Sequence, residues 1–262
     1  MAIQISNDIA QLPNLKRMFL ADPGYTLIDA DLSGADAQVV AWEADDDDLK
    51  IAFRSGVNVH MMNAEMMFGA DWTNAPGHHK QLGTKKGRMY YDLKRGVHLT
   101  NYVGSARTLA TVLGWTVAEA ERFQSRWFSL HPGIREWHKR VLSDLRSTHT
   151  VTNKCGYHRT YFDRPDSCLS EAIAWIPQST IAISCFRGAD RIQTLLPEAE
   201  ILLQVHDSLV FQIPTKLLSD NNIWKFIAAA LQNPIPYSDP LTIQWKIAAS
   251  GANWADVKEI PV

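Results

Sequence analysis

The segment LLQVHDSLVFQI, Leu202–Ile213, restricts the fold more than any other part of the chain. Its two apolar halves have the composition of buried β-strands, and a polar His-Asp-Ser step separates them, which predicts a hairpin. A buried carboxylate destabilises a fold unless it is paired, hydrogen-bonded or bound to a cation. Asp207 and its neighbour His206 therefore need partners from elsewhere in the sequence.

A second acidic segment, YTLIDADLSGADAQVVAWEA (residues 25–44), offers such a partner for Asp207. It begins with the alternation of a strand and becomes helical after SGAD, so Asp31 lies where the strand ends. Two converging carboxylates repel each other unless cations lie between them, and hard oxygen ligands favour Mg2+ or Mn2+. Asp31 and Asp207 are thus candidate ligands for the paired metal ions of phosphoryl transfer, with ordinary turn or cap roles as the alternative.

A basic segment separates the two acidic regions. Between Lys80 and Arg140 there are twelve Lys and Arg but only four Asp and Glu, a net charge of +8 in a chain whose total is −2. Such an asymmetry suits a protein that binds a polyanion with one region and cations with another. A set of solvated helix faces would give the same imbalance, so both interpretations stay open at this point.

Within the basic segment, four side chains form one row on a predicted helix. Tyr90, Lys94, His98 and Tyr102 recur every four residues, which places them on one face, with Arg95 beside the row. A cation, an imidazole and two phenols suit a triphosphate at one end and a sugar or base at the other. The alternative is an amphipathic surface helix whose tyrosines pack inward.

The rest of the chain has the composition of ordinary folded domains. With 46% hydrophobic and 21% charged residues, one or two domains are expected, with mostly helical patterns from about residue 56 to 146. THTVTNKCGYHRTYF predicts a hairpin, SEAIAWIPQSTIAISCFRGADRIQTLL predicts a long helix containing a proline, and the acidic run Asp45–Asp48 predicts a solvated turn. Three cysteines without C-x-x-C spacing predict reduced thiols. No apolar run reaches membrane-spanning length, so we expect a cytoplasmic protein with no membrane partner.

Three of these segments, in this order, resemble the motifs of the family A DNA polymerases, the group that includes bacterial DNA polymerase I and many phage replicases. DADLSGADAQVVA resembles the first motif, KRGVHLTNYVG the motif of the finger helix, and VHDSLV the third motif. NVHMMNAEMMFG, CGYHRTY, PQST and GANWADVK are similar to further family segments, so the resemblance covers nearly the whole chain. It implies a DNA-directed DNA polymerase that adds deoxynucleotides (dNTPs) to the 3′-hydroxyl of a primer on a template.

The resemblance also implies roles for individual residues. Asp31 and Asp207, with the backbone carbonyl of Leu32, would hold two Mg2+ ions, or Mn2+, and form the catalytic centre. The implied nucleotide-binding residues are Asp36 as the ribose gate, His60, Lys94, Arg95, His98 and Tyr102. The implied primer-template contacts are Arg159, Gln178 and His206.

Several positions differ from the motifs of the family. Tyr90 stands where the family usually has an arginine, so contact with the γ-phosphate is expected to fall to Arg95 or Arg88. His98 replaces a phenylalanine or tyrosine, and Asp36 is one methylene shorter than the usual glutamate. These differences concern the selection of phosphate and sugar, and they leave both metal-binding aspartates in place.

For the fold, the resemblance implies the α+β class, with a palm of antiparallel sheet and flanking helices, helical fingers, and neither thumb nor exonuclease domain. The expected boundaries are 1–52 for the first part of the palm, 53–148 for the fingers, and 149–262 for the second part of the palm with the C-terminal tail. About 30 residues precede Asp31, and none of them resembles a thumb.

We therefore expect a second polypeptide that carries the thumb, the 3′-5′ exonuclease or both. A phage with a split polymerase would have this arrangement, and the protein would then act in the host cytoplasm. A truncated part of a longer polymerase would have the same sequence. Two other functions stay open from the sequence. One is a catalytically silent replisome subunit that binds nucleic acid, and the other is a metal-dependent nuclease, which would use paired carboxylates but would not need the row of Lys94, His98 and Tyr102.

Overall fold

The computed structural model of the chain describes residues 14–261. The strands in this range are β1 (Tyr25–Leu32), β2 (Thr150–Thr152), β3 (His158–Thr160), β4 (Glu200–Val205), β5 (Ser208–Pro214), β6 (Trp245–Ser250) and β7 (Lys258–Ile260). The α-helices are α1 (Ala35–Glu43), α2 (Asp47–Arg54), α3 (Val59–Phe68), α4 (Ala70–Thr73), α5 (Lys85–Asn101), α6 (Ala106–Leu113), α7 (Val117–Leu130), α8 (Pro132–Thr148), α9 (Pro165–Leu195) and α10 (Ile223–Leu231). Short 3-10 helices occupy Leu15–Met18, Thr215–Ser219 and Trp254–Asp256.

The larger sheet has five strands in the order β4-β5-β1-β6-β7, and each neighbouring pair is antiparallel. In β5 every residue from Ser208 to Ile213 is buried, because β5 is paired on both sides and covered on both faces. Its near-continuous apolar sequence is the signature of such a strand. The predicted α+β class, with an antiparallel sheet and helices, is confirmed.

The local predictions agree with the structure in four places. The segment 25–44 is a strand followed by a helix, and THTVTNKCGYHRTYF contains the hairpin β2-β3. LLQVHDSLVFQI forms the hairpin β4-β5, with His206 and Asp207 as its turn. The long helix α9 contains Pro177 as expected.

Among residues 14–261, no helix is both long enough and apolar enough to span a bilayer.

The described chain divides into two compact units. The first unit consists of the described residues up to Ser33, of Ala182–Pro234, and of the described residues from Thr242 onward. The second consists of Gly34–Ile181 and Ile235–Leu241. The boundaries between these units lie at other residues than the expected boundaries of palm and fingers. The palm and fingers boundaries concern functional domains and stay a prediction. Residues 1–13 of the predicted first palm segment lie outside the described part of the chain.

The second unit has a core built largely from α5, α7 and α8. Leu93, Trp127, Ile134, Trp137 and Leu145 are at most 1% exposed, and they lie at helical spacing on the inner faces of these helices. The helix starts are fixed locally, since Thr84 caps α5, and Thr116 with Glu119 forms a capping box on α7. The predicted basic helix is therefore part of a packed bundle. In its row, Lys94 and His98 are exposed, whereas Tyr90 and Tyr102 are partly buried and pack against this core.

The acidic run Asp45–Asp48 is only partly the solvated turn that the sequence predicts. Asp46 is buried and forms the N-cap of α2, where its carboxylate accepts the Leu49 amide at 2.9 Å. Its other oxygen lies 2.8 Å from Nδ1 of His131, which is completely buried. Burial alone would raise the pKa of Asp46, but the hydrogen bonds from His131 and Leu49 outweigh it and lower that pKa. The prediction is thus wrong for Asp46, because a contact distant in sequence determines its position.

Candidate active site

Asp31 lies at the end of β1, in the middle of the larger sheet. Its Cα pairs with that of Ser208 on β5 and with that of Lys246 on β6. One residue further, the Leu32 amide donates to the Asp207 carbonyl at 2.9 Å. The strand pairing therefore brings Asp31 next to the hairpin turn that carries Asp207, as the sequence predicts. Both residues belong to the first compact unit.

The hairpin turn that carries Asp207 has an unusual backbone. His206 has φ of 54°, in the left-handed region that a residue with a Cβ occupies at a cost. The side-chain amide of Gln204 donates to the His206 carbonyl at 2.6 Å and holds this conformation. His206 is exposed, whereas Asp207 is half-buried. The two-residue turn thus holds one carboxylate near Asp31 and presents an imidazole to solvent.

The electrostatic field around Asp31 is negative. Burial, then the charges of Asp207 and Asp29, raise the pKa of Asp31 to about 6, against the opposing effect of Lys246 and Lys16. Cys185 on α9 responds to the same field, since burial, Asp207 and Asp31 together raise the pKa of its thiol to about 12. A divalent cation between the aspartates would remove this repulsion.

The oxygen atoms of Asp31, Asp207 and the nearby backbone suit a hard divalent cation that takes its remaining ligands from outside the protein. Within the described residues, no group of three or more His, Cys, Asp or Glu side chains is arranged to hold a metal ion. Two carboxylates and nearby backbone oxygens nevertheless match Mg2+, which keeps several ligands from water and substrate phosphates and binds protein through one or two carboxylates. The residues therefore suit a metal bound together with a nucleotide better than a permanently caged ion.

Asp29 is a residue of this site that the sequence analysis did not single out. It is two residues before Asp31, so both side chains lie on the same face of β1. One oxygen of Asp29 accepts the indole N–H of Trp254 at 2.6 Å and lies 3.9 Å from the Lys16 ammonium. The alternation of Asp29 and Asp31 in the strand was the available signal, and Trp254 could be identified only from the folded chain.

In the second unit, three predicted nucleotide-binding residues are in contact with one another. The Tyr102 hydroxyl donates to one oxygen of Asp36, and Nδ1 of His98 lies 3.3 Å from the other. The rings of His98 and Tyr102 pack edge to face at 4.5 Å. Burial and the charge of Asp36 raise the pKa of Tyr102, so the phenol stays protonated and remains a donor. Asp36 is therefore held in one orientation from α5 and the residue after it.

Replacement of Tyr102 by phenylalanine is expected to destabilise the chain by about 1–2 kcal/mol, because the Asp36 carboxylate loses a charge-assisted hydrogen bond. Urea unfolding at pH 7 measures the change. Tyr157→Phe is the matched control, since the Tyr157 side chain is exposed. Equal stability of the two variants would contradict the assignment of this hydrogen bond.

His60 and Lys94 both lie against the Tyr90 ring. The Lys94 ammonium is 5.8 Å from the ring centroid, and the His60 ring packs edge to face at 6.0 Å. Burial, then the positive charge of Lys94, lowers the pKa of His60 to about 4. His60 is therefore a neutral hydrogen-bonding group at pH 7, whereas the exposed Lys94 carries the charge.

The remaining predicted site residues are exposed. Arg159 on β3 forms an ion pair with Glu171 and lies 5.0 Å from the centroid of the Tyr161 ring. Gln178 follows Pro177 on α9, in the part of this helix that belongs to the second unit. Arg95 is exposed on α5, near Asp92; burial raises the pKa of Asp92, and the charge of Arg95 opposes part of that rise. The predicted nucleic-acid or nucleotide roles of these three residues stay predictions.

Comparison with known proteins shows which family the sequence of this chain matches. The family model described as DNA polymerase family A matches residues 3–256 of the chain. The thermostable DNA polymerase I of Thermus filiformis is 29% identical over 256 residues, which cover 94% of this chain and 29% of that protein. DNA polymerase I of Deinococcus radiodurans is 27% identical over 256 residues, covering 93% of this chain and 25% of that protein.

A solved structure has the same fold. The POL domain of Pol1 from M. smegmatis, in complex with DNA primer-template and dNTP, matches with a TM-score of 0.75 at 19% sequence identity. The match covers 92% of this chain and 42% of that chain. The present chain therefore spans less than a third of each of the two curated relatives above, and less than half of the solved chain.

Proposed function

Because the chain belongs to DNA polymerase family A, we propose that it adds dNTPs to a primer 3′-hydroxyl, directed by a template. The observation that carries this proposal is the pair Asp31 and Asp207, which β1 and the β4-β5 turn hold together in a negative field. Asp31 is half-buried and repelled by the charge of Asp207, so the pair destabilises the chain unless a cation binds there.

In this proposal Asp31, Asp207 and the Leu32 carbonyl hold two Mg2+ ions, or Mn2+. Bound there, the ions would lower the pKa of the primer hydroxyl and neutralise the charge of the triphosphate and of the pyrophosphate that leaves. The role of the protein is to fix both carboxylates before substrate binds. The rigid strand pairing does this for Asp31, and the Leu32–Asp207 backbone hydrogen bond does it for the turn.

The second unit is proposed to bind the nucleotide. Lys94 neutralises phosphate charge, and neutral His60 donates or accepts a hydrogen bond beside it. Asp36 acts as the ribose gate, and the Tyr102 hydrogen bond fixes its position. His98 and Tyr102 offer ring surfaces for the new base pair. The expected contribution of Arg95 to the phosphate clamp stays a prediction.

Primer-template DNA is the proposed nucleic-acid partner, with contacts from Arg159, Gln178 and His206. Base pairing selects the sequence, so these residues need only bind backbone and shape. A second polypeptide that carries a thumb, a 3′-5′ exonuclease or both is the proposed protein partner, and a phage origin in a split polymerase stays part of the same proposal.

Primer extension tests the proposed activity. The purified chain is incubated with a labelled primer-template, Mg2+ and all four dNTPs, in parallel with its Asp207→Asn variant. Extension by the wild-type chain and not by the variant is the expected result. Equal extension by both would contradict the role of Asp207. DNA binding without extension by either protein, at high enzyme concentration and low salt, would instead favour a catalytically silent subunit.

A further inference from the structure

Tyr90 occupies the helix position at which the family motif has an arginine, and its ring is the centre of a cluster in the second unit. The His79 ring lies 5.1 Å from the Tyr90 ring, and the Trp72 ring is stacked on the Tyr90 ring at 6.5 Å with an angle of 27° between the two planes. The His60 ring and the Lys94 ammonium also contact the Tyr90 ring, at 6.0 Å and 5.8 Å from its centroid. Four groups from α3, α4, α5 and the loop before α5 therefore meet around one phenol.

The loop that carries His79 is packed firmly against the start of α5. A Cβ on residue 87 would lie 1.8 Å from the Gln81 carbonyl oxygen, so only glycine permits this approach. The Thr84 hydroxyl, which caps α5, also donates to the Gln81 carbonyl at 2.8 Å. The Lys80 amide donates to Nδ1 of His78 at 3.2 Å. His79 is thus held beside Tyr90 by the local backbone, which makes it suitable for a preorganised site.

The charge of this cluster is uncompensated. The pKa of His79 is lowered by partial loss of solvent and then by the positive charges of His78, Lys80 and Lys86. The acidic residues on the helices packed here are Glu65, Asp71 and Asp92. In the described part of the chain, none of them forms an ion pair with the histidines or lysines of the cluster. Such a site favours an anion.

The two arginines expected to replace the missing one lie elsewhere on α5. At 100° per residue, Arg88 and Arg95 are about 140–160° around the helix from Tyr90. They share their face with Asp92, whose pKa burial raises and whose carboxylate both arginines partly stabilise in its charged form. Lys94 and His98, in contrast, follow Tyr90 along the same row. Lys94 is thus the cation that α5 itself places on the row of Tyr90, and a second cation for the terminal phosphate would come from outside α5 or from its first turn.

We propose that His79, assisted by Lys86, binds the terminal phosphate of the nucleotide triphosphate in place of the arginine that the family motif has at Tyr90. Lys86 lies in the first turn of α5, with its ammonium 5.1 Å from the Trp72 ring centroid. This inference deepens the proposed function and rests on it for the identity of the ligand. The site itself is a polyphosphate site built from an imidazole and lysines.

An imidazole makes this contact sensitive to pH, unlike an arginine. Bound phosphate stabilises protonated His79, so the affinity for triphosphate is expected to fall as the pH rises from 6 to 8. The ionisation of the triphosphate changes in the same range, and His78, Lys80, Lys86 and Lys94 also face the site. The contribution of His79 is therefore the difference between the wild-type chain and a variant without this imidazole.

The test uses inorganic tripolyphosphate without metal, titrated calorimetrically into the full chain at pH 6 and pH 8. His79→Ala is expected to weaken binding about tenfold at pH 6, as for the loss of one charge-assisted hydrogen bond, and much less at pH 8. His158→Ala is the matched control, because His158 is an exposed histidine of the same unit, on β3. The control should bind like the wild type.

Unchanged binding by His79→Ala would overturn the inference, and so would an equal loss in both variants, since that result indicates general charge attraction. Primer extension by the wild-type chain is measured separately. If His79 determines tripolyphosphate binding while no extension occurs, the polyphosphate site stands and the proposed polymerase activity fails.

Discussion

Replacement of Asp31 by asparagine is expected to lower the rate of primer extension by about 10³-fold while making the metal-free chain more stable at pH 7. The two effects have one cause. Asp31 and Asp207 are held together for a cation, and without it they repel each other. A change that removes one negative charge relieves this repulsion and destroys the metal site. If Asp31 were needed only for folding, its replacement would lower the stability of the chain together with its activity.

The sign of the stability effect follows from the pKa of Asp31, which is about 6 in the folded chain and near 3.8 without the fold. The folded chain binds the proton more tightly, so the stabilising contribution is complete below pH 3.8 and is lost as the pH rises through about 6. By pH 7 this rise in pKa corresponds to a loss of about 3 kcal/mol in the free energy of unfolding, relative to the chain at low pH. Asp31 is only half-buried, and solvent screening reduces this to about 1–2 kcal/mol.

Thermal unfolding from pH 4 to 8 in the presence of a chelator measures this effect. The difference between Asp31→Asn and the wild type should grow from pH 4 to pH 7. Asp190→Asn is the matched control, since Asp190 is an exposed carboxylate on α9 in the same unit. Added Mg2+ should stabilise the wild type by mass action and leave Asp31→Asn unchanged. A variant that is less stable than the wild type at pH 7 would contradict the repulsion.

The largest loss of stability is expected for Asp46→Ala, at about 3–5 kcal/mol. This substitution removes the N-cap of α2 and leaves His131 buried without the carboxylate that now accepts from it. His131 is 0% exposed, its Nε2 has no hydrogen-bond partner among the described residues, and its ring packs on Trp127 at 4.2 Å. Water cannot replace the lost partner without disturbing the core.

Asp48→Ala is the control that distinguishes the loss of the Asp46–His131 contact from the loss of any one negative charge in the acidic run. Asp48 lies in the first turn of α2, two residues after Asp46, and it is exposed. Its replacement should change the free energy of unfolding by less than about 0.5 kcal/mol. Urea unfolding of both variants at pH 7 gives the comparison. Similar small losses in the two variants would mean that the Asp46–His131 contact does not support the core.

The local structure of the site could be predicted from short stretches of sequence. The strand that ends at Asp31, the turn at His206 and Asp207, and the row from Tyr90 to His98 follow from periodicities of two and about four residues. The signal lies within each window, because side-chain direction in a strand or helix is fixed by the backbone of that window. Each of Asp31 and Asp207 follows an apolar strand pattern, and this shared context paired them as candidate metal ligands.

The contacts that give each residue its environment were decided by the tertiary structure. The sequence did not indicate that Asp46 caps α2 against a buried His131, or that Trp254 binds Asp29. It also did not place His79 beside Tyr90. These pairs join separate elements, and their side chains meet only when helices and strands pack. Sequence alone determined which elements form and which carboxylates they present, whereas burial and long-range partners, which set pKa and orientation, exist only in the folded chain.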